Sequence, residues 1–334
     1  MSTAIPKAVL YYYPASIWSA SVLLALEEKG YAPDEYDLKI VNLAKGENYD
    51  PTFLRLNPKA TVPTLIVPLS NTLSEEAINE FLDKSRSGLS KTHTTSVAPA
   101  PALSPATIAA TAIAKSIIEL IQSPEASPGP LKYYNARDDA SLQALAASSV
   151  LGTVQGKVGA LKHHIAEAQS GVSQVSEKTK AFWAGKLEFW SKVLSVLEAA
   201  GKSLDALSDS EKQARVEFLE TGRKAWEVDL PKVLLKLSTE MAGPYALGDQ
   251  FSIADLPLAA WFTRLAVLSG AVAGDDGKTV VDKIESKAGI GAFLPRDYSA
   301  DAVRRSDKVA KLGVFWDGLK TRRSWQKIYG EGVF

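Results

Sequence analysis

The stretch Tyr11–Gly30, YYYPASIWSASVLLALEEKG, decides how the N-terminal part of this chain folds. It completes an apolar and aromatic run, Ala8 to Tyr13, that predicts a buried β-strand. Pro14 ends the strand, because it lacks an N–H and has a fixed φ. Ser16 is of the residue type that caps helices, and the spacing predicts a helix to Lys29 with Gly30 at its C′ position. Such a helix carries partial positive charge at its N-terminus. A hydroxyl there either caps the helix or meets an anion. Alternation along the strand sets Tyr11 and Tyr13 on one face and Tyr12 on the other.

Outward from this stretch the elements alternate. In DEYDLKIV, Tyr36, Leu38 and Ile40 share one side and Glu35, Asp37 and Lys39 the other, which predicts a half-buried strand. TLIV after Pro63 reads as a third strand, and NTL after Pro68 as a short fourth. SEEAINEFLDK reads as a helix, with Ser74 as N-cap and two glutamates in the first turn to suit the dipole. The composition then changes. Residues 85–104 are rich in Ser, Thr, Ala and Pro and read as a mobile linker with too little apolar surface to hold a fold. Ser104 and Pro105 read as N-cap and N1 of a helix carrying Ile113, Ile117, Leu120 and Ile121. Trp183, Leu187, Trp190, Leu194 and Leu197 form a helical stripe of the kind that fills a bundle core. Pro231 must kink or split the helical region around it. The expected organisation is an α/β domain over 1–84, a linker over 85–104 and an all-helical domain over 105–334.

Composition narrows the chemistry. A chain of 334 residues with 46% hydrophobic residues buries a real core. Its formal net charge is zero, which argues against nucleic acid as a partner. No apolar run reaches the roughly 18 residues of a membrane span, and no signal-peptide pattern opens the chain. The expectation is a soluble, cytoplasmic protein. The absence of cysteine excludes disulfides, thiolate metal sites and a cysteine nucleophile. Of three histidines, His93 lies in a polar tract, and His163 and His164 are adjacent, so no metal is expected.

Four segments together resemble the soluble glutathione transferase superfamily. The first is YYYPASIWSASVLLALEEKG, similar to the strand-to-helix entry of serine-type members. The second, Gly46–Leu65, GENYDPTFLRLNPKATVPTL, resembles the stretch that leads through Asn-Pro to a cis-proline. The third is LGDQFSIADLPLAAWF, in which Ser252 and Asp255 match the S-x-x-D capping box of the helical domain. The fourth, FWDGLKTRRSWQKIYGEG, resembles the closing helix. The resemblance covers roughly 7–83 and 240–330 and is closest to phi-, theta- and delta-like N-terminal halves, in a divergent member of fungal type. It implies a thioredoxin-like α/β domain followed by an enlarged all-α domain.

It also implies roles. Ser16 would face the glutathione sulfur, with Tyr12, Tyr13 and Trp18 as pocket wall. Val62, before the implied cis-proline Pro63, would pair its backbone with the cysteinyl part of glutathione, and Lys59 and Asn48 would help place the peptide. The energetics are adequate. A free thiol has a pKa near 8.5, and lowering it by two units takes roughly 2.7 kcal/mol. A hydroxyl donating to a charged acceptor contributes roughly 1.5–3 kcal/mol and a helix N-terminus about 0.3–1. One departure stands out. Where most members have Glu-Ser before the helix that ends the α/β domain, this chain has Ser74-Glu75, which sets a carboxylate against the γ-glutamyl carboxylate. Ser74 also reads as a plain N-cap. The resemblance implies glutathione conjugation to an apolar electrophile by a homodimer. Its alternatives on the same fold are a non-catalytic binder of apolar or aromatic ligands and a protein-interaction module. Branches that use a cysteine nucleophile are excluded.

Overall fold

A computed structural model describes residues 7–68, 73, 75–87, 95–299 and 308–330. The chain opens with β1 (Ala8–Tyr12), α1 (Ile17–Glu28), β2 (Tyr36–Ile40), α2 (Pro51–Leu56), β3 (Thr64–Ile66) and α3 (Glu75–Ser85). Helices follow: α4 (Ile108–Gln122), α5 (Pro128–Tyr133), α6 (Asp139–Ala147), α7 (Ser149–Gln169), α8 (Glu177–Glu198) and α9 (Asp209–Arg223). The last are α10 (Leu230–Glu240), α11 (Asp255–Leu268), α12 (Gly277–Ala288), α13 (Lys311–Thr321) and α14 (Arg323–Tyr329). This is the expected fold class, an α/β N-terminal part of thioredoxin-like order and a helical remainder.

The sheet has the order β2-β1-β3. β1 runs antiparallel to β3, with Leu10 opposite Leu65. Leu73 forms an antiparallel bridge to Leu65, where the sequence predicts a short fourth strand; Asn71 and Thr72 lie outside the described residues. β2 corrects an expectation. It forms as a strand, but Leu38 is 44% and Ile40 59% exposed, so its apolar face is not buried. Alternation identifies a strand without saying whether an element covers it.

Helix α1 is capped as the sequence predicts. Ser16 has extended φ/ψ and its side chain accepts from the Ser19 N–H, and Gly30 takes a left-handed φ of 66°. Ala20, Val22, Leu24 and Ala25 are buried, as are Ser19 and Ser21. A helix buried on more than one face needs neighbours on several sides, and α1 packs on α3, α11 and α14. The Ser21 hydroxyl is satisfied by the Asn79 amide, which donates to it at 2.9 Å.

Chain contacts divide the molecule into two units, one formed by residues 1–39, 63–128 and 226–334, the other by 40–62 and 129–225. In the first unit, fully buried Lys29 donates to Asp83 at 2.8 Å and to the Pro101 carbonyl at 2.6 Å. Arg86 donates to the carbonyls of Lys29 and Ala98. Asp83 accepts from the backbone N–H groups of Leu103 and Ser104 and from the Ser104 hydroxyl. Burial alone would raise the Asp83 pKa, but these bonds hold it below the ordinary carboxylate value. The described part of the Ser/Thr/Ala/Pro tract is thus fastened near its end. Composition gives no sign of this, because Lys29, Asp83 and Arg86 come from outside the tract or its very edge. Ser104 is also corrected. It does not cap α4, which begins at Ile108 with Thr107 as N-cap. Ser104→Ala is expected to cost about 1.5–3 kcal/mol, the value of a hydrogen bond to a charged group, measured by urea unfolding. In an Asp83→Asn background that loss should shrink; an unchanged loss would reject the pairing.

The second unit has its own core, which includes Tyr49, Val154, Leu161, Trp183, Trp190, Leu197 and Phe218. The predicted stripe on α8 is core: Trp183, Trp190 and Leu197 are buried and Leu187 and Leu194 pack against them. Tyr49 is part of this core, accepting from Trp183 Nε1 at its carbonyl and from Trp190 Nε1 at its hydroxyl. Near Pro231 the chain winds through a π-helical turn, Lys224–Asp229, and resumes as α10 with the proline in its first turn. Among the described residues no helix is long and apolar enough to cross a membrane.

Candidate functional site

The turn between β1 and α1 is tied from three directions. The Ser16 N–H donates to the Tyr13 carbonyl at 2.9 Å. The Tyr13 N–H donates to Ser19 Oγ at 3.2 Å. Arg264 of α11 donates to the Ala15 carbonyl at 2.9 Å. Ser16 is half-buried at the helix N-terminus. Its Oγ accepts from the Ser19 N–H at 3.3 Å. A hydroxyl has two lone pairs and one proton. Capping uses a lone pair and leaves the proton to donate, so cap and anion donor are compatible roles for the same atom.

Sequence reasoning missed Arg264. It holds the backbone next to Ser16 and lines, with Ser16 and Tyr329, a small cavity of about 10 Å³. No local pattern could reveal it, since it lies 249 residues from Ala15. Trp18 faces elsewhere, lining a cavity of about 340 Å³ with Ile121, Pro124 and Pro128. Ser16 and Trp18 therefore share a helix start but not a cavity. Tyr12 and Tyr13 are half-buried beside them in sequence. A wider cavity of about 600 Å³ lies among α3, α4 and the start of α11, with Ala114, Ile118, Ile253 and Pro257 as apolar wall and Lys84 and Glu119 at its edge.

Pro63 and the first residue of α3, Glu75, belong to the same unit as Ser16. Ser74 and the side chain of Glu75 lie outside the described residues. Asn48, Lys59 and Val62 belong to the other unit. There the Asn48 amide donates to the Ala60 carbonyl at 3.0 Å, while its Oδ1 is buried without a hydrogen-bond partner among the described residues. Asn57 donates to the Thr61 carbonyl at 2.9 Å and accepts from the Lys59 N–H at 3.0 Å. Between them Ala60 has a φ of 55°, a conformation that costs a residue with a Cβ about 1–3 kcal/mol. Asn48 and Asn57 thus hold a strained loop that leads into buried Val62. Lys59 is exposed, and its side chain extends from this loop.

Two further groups in the second unit carry chemistry: Lys157, which sequence reasoning did not single out, and the adjacent histidines, which it set aside. Lys157 is buried against the rings of Trp190, at 3.9 Å, and Tyr133, at 4.7 Å. Burial, with repulsion from Lys132 and Lys186, pushes its pKa down to about 7. His163, His164 and Glu167 of α7 form the group that could hold a metal ion among the described residues.

Residues 15–85 match the family model described as Glutathione S-transferase, N-terminal domain. The chain is 46% identical over 63 residues to a tetrachloro-p-hydroquinone reductive dehalogenase of Sphingobium chlorophenolicum, an alignment covering 19% of this chain and 24% of the relative. It is 41% identical over 85 residues to a maleylacetoacetate isomerase of Aspergillus fumigatus, covering 24% of this chain and 35% of the relative. These alignments span between 24% and 35% of the relatives' length. The solved structure of a maleylacetoacetate isomerase from Methylobacterium extorquens, with bound malonate and glutathione, aligns with 96% of this chain and 95% of its own at 16% identity and a TM-score of 0.48. The segment from the turn before α1 to the end of α3, which carries Ser16, Trp18, Pro63 and Glu75, is the part of this chain that matches the glutathione S-transferases.

Proposed function

We propose that the chain is a serine-type glutathione transferase, joining glutathione to an apolar electrophile. The observation that carries this is Ser16, a half-buried hydroxyl with a free proton at the N-terminus of α1, inside the segment that matches the family model. In this reading Ser16 donates to the thiolate. Val62, Pro63, Lys59, Ser74 and Glu75 place the peptide, and Tyr12 and Tyr13 wall the electrophile site, while Trp18 lines a separate cavity. Asn48 acts through the loop that it holds. The match to the glutathione S-transferase family model supports glutathione as co-substrate, and the lack of cysteine supports a hydroxyl donor over a cysteine nucleophile. The division at 84 and 104, the homodimer and a cytoplasmic setting belong to the same proposal. Limited proteolysis between Ser85 and Pro105, leaving two resistant pieces, tests the division; a monomer mass at micromolar concentration would remove the dimer.

The direct test of ligand class is glutathione at millimolar concentration in a thermal-shift assay. Glu75→Ser should tighten binding about fivefold or more, since repulsion between two carboxylates at about 4 Å costs roughly 1 kcal/mol even in water. The gain should be largest at low salt. An unchanged affinity would remove Glu75 from the site.

A second reading is a non-catalytic binder of apolar or aromatic molecules. The 340 Å³ cavity beside Trp18 favours it, being separate from Ser16 and pairing the apolar side chains of Trp18, Ile121, Pro124 and Pro128 with the polar ones of Gln122, Ser123 and Ser127. No glutathione binding by either the natural chain or Glu75→Ser would select this reading.

A further inference from the structure

Helix α7 brings together three donor groups. His163 Nε2 lies 3.4 Å from one Glu167 oxygen. His164 Nδ1 lies 3.7 Å from the other. The ligand atoms of all three residues are within 4.8 Å of one another. Successive helical residues point about 100° apart, which is why two adjacent histidines argue against a shared ion. Glu167 removes that objection. It stands four residues after His163 and three after His164, and both spacings are neighbours on a helix surface.

The separations suit a metal. Imidazole nitrogen and carboxylate oxygen bind Zn2+ at about 2.0–2.2 Å, so around a tetrahedral ion such atoms stand about 3.3–3.5 Å apart. Both histidine–glutamate distances, each to a different carboxylate oxygen, are within a few tenths of an ångström of that, so a turn of the Glu167 carboxylate would present one oxygen to an ion shared by both rings. Closing the remaining histidine–histidine gap would take a rotation of His163, whose side chain is 65% exposed. His164 is set in place already. Its ring stacks on Trp183 with centroids 5.5 Å apart and planes at 22°. Trp183 is itself held by its hydrogen bond to the Tyr49 carbonyl.

An independent observation points the same way. His164 Nδ1 is buried without a hydrogen-bond partner among the described residues, and buried polar atoms are ordinarily satisfied. A cation between this nitrogen and Glu167 satisfies it.

We propose that His163, His164 and Glu167 form a site for a divalent first-row transition-metal ion. Two imidazoles and one carboxylate suit Zn2+, Ni2+ or Cu2+ over Mg2+ or Ca2+. Three protein ligands leave one position open to water. The ion clamps one turn of α7 and braces it against Trp183 of α8. This site is independent of the glutathione reading.

The test uses the untagged 334-residue chain, freed of metal with a chelator. Titration with ZnCl2 by calorimetry should give one site per chain. Zn2+ at about 100 times its Kd should raise Tm by several degrees, while equal MgCl2 does nothing. His163→Asn and Glu167→Gln should each weaken Zn2+ binding at least tenfold and leave the metal-free Tm nearly unchanged. His93→Asn should leave binding as it was. A Co2+ complex with visible absorption that disappears in the double variant would support the site by a second readout. No stoichiometric Zn2+ binding, or equal binding by the double variant, overturns the proposal.

Discussion

Replacing Ser16 with alanine is expected to slow glutathione conjugation to a simple aryl halide about 10- to 150-fold at neutral pH, with little change in glutathione affinity. The expectation rests on the free proton of a hydroxyl at the N-terminus of α1. A hydrogen bond to a charged sulfur is worth roughly 1.5–3 kcal/mol, and it touches only the thiolate, not the rest of the peptide. Its loss raises the bound thiol's pKa, so the deficit should shrink at alkaline pH. The same atom also caps α1, and losing a serine cap to alanine costs about 0.5–2 kcal/mol of stability. Ser16→Gly separates the two roles, because glycine caps almost as well as serine and has no hydroxyl. Equal rate losses in the Ala and Gly variants, with stability lost mainly in Ala, identify the donor role. An active Ser16→Gly variant would reject it and turn attention to Tyr12 or Tyr13.

Asp255→Ala is expected to destabilise the chain by about 3–5 kcal/mol, a large part of an ordinary total of about 5–15. Asp255 is fully buried at the start of α11. It accepts from the Ala246 N–H at 2.7 Å, the Ser252 N–H at 2.8 Å and the Ser252 hydroxyl at 2.6 Å. Alanine leaves these donors buried without an acceptor. The S-x-x-D pattern thus works by gathering donors from two segments onto one carboxyl. Burial outweighs these bonds and pushes the pKa up to about 6. A folded-state pKa above the unfolded value means that the folded chain holds this proton more tightly. The group's stabilisation is then complete below about pH 4 and declines as pH rises through 6. The cost of Asp255→Ala, read from urea midpoints, should therefore be larger at pH 4 than at pH 7. A cost below about 1 kcal/mol at both pH values would show that these bonds carry little.

Glu75→Ser, Ser104→Ala and the metal titration probe smaller effects at places where local pattern and tertiary setting part company. Ser104 shows why. A serine before a proline reads as a helix cap, and nothing in the adjacent residues says that Asp83 lies within reach. Its hydroxyl goes to Asp83 because a buried carboxylate between Lys29 and a backbone turn outcompetes an exposed helix start.

The sequence by itself determined the strand, turn and capped helix around Ser16, the buried tryptophan stripe on α8, the break near Pro231 and the pairing of Ser252 with Asp255, though not its role as a helix cap, since α11 begins at Asp255 with Ala254 as N-cap. Each depends on residues a few positions apart, where periodicity, capping chemistry and the missing N–H of proline act directly. Tertiary structure alone decided that β2 leaves Leu38 and Ile40 exposed, that Lys29 and Arg86 fasten the Pro-rich tract, that Arg264 holds the turn before Ser16, and that His164 meets Trp183. These depend on which buried charge or ring finds a partner many residues away. Burial and long-range hydrogen bonding are properties of the packed chain, so no local pattern contains them.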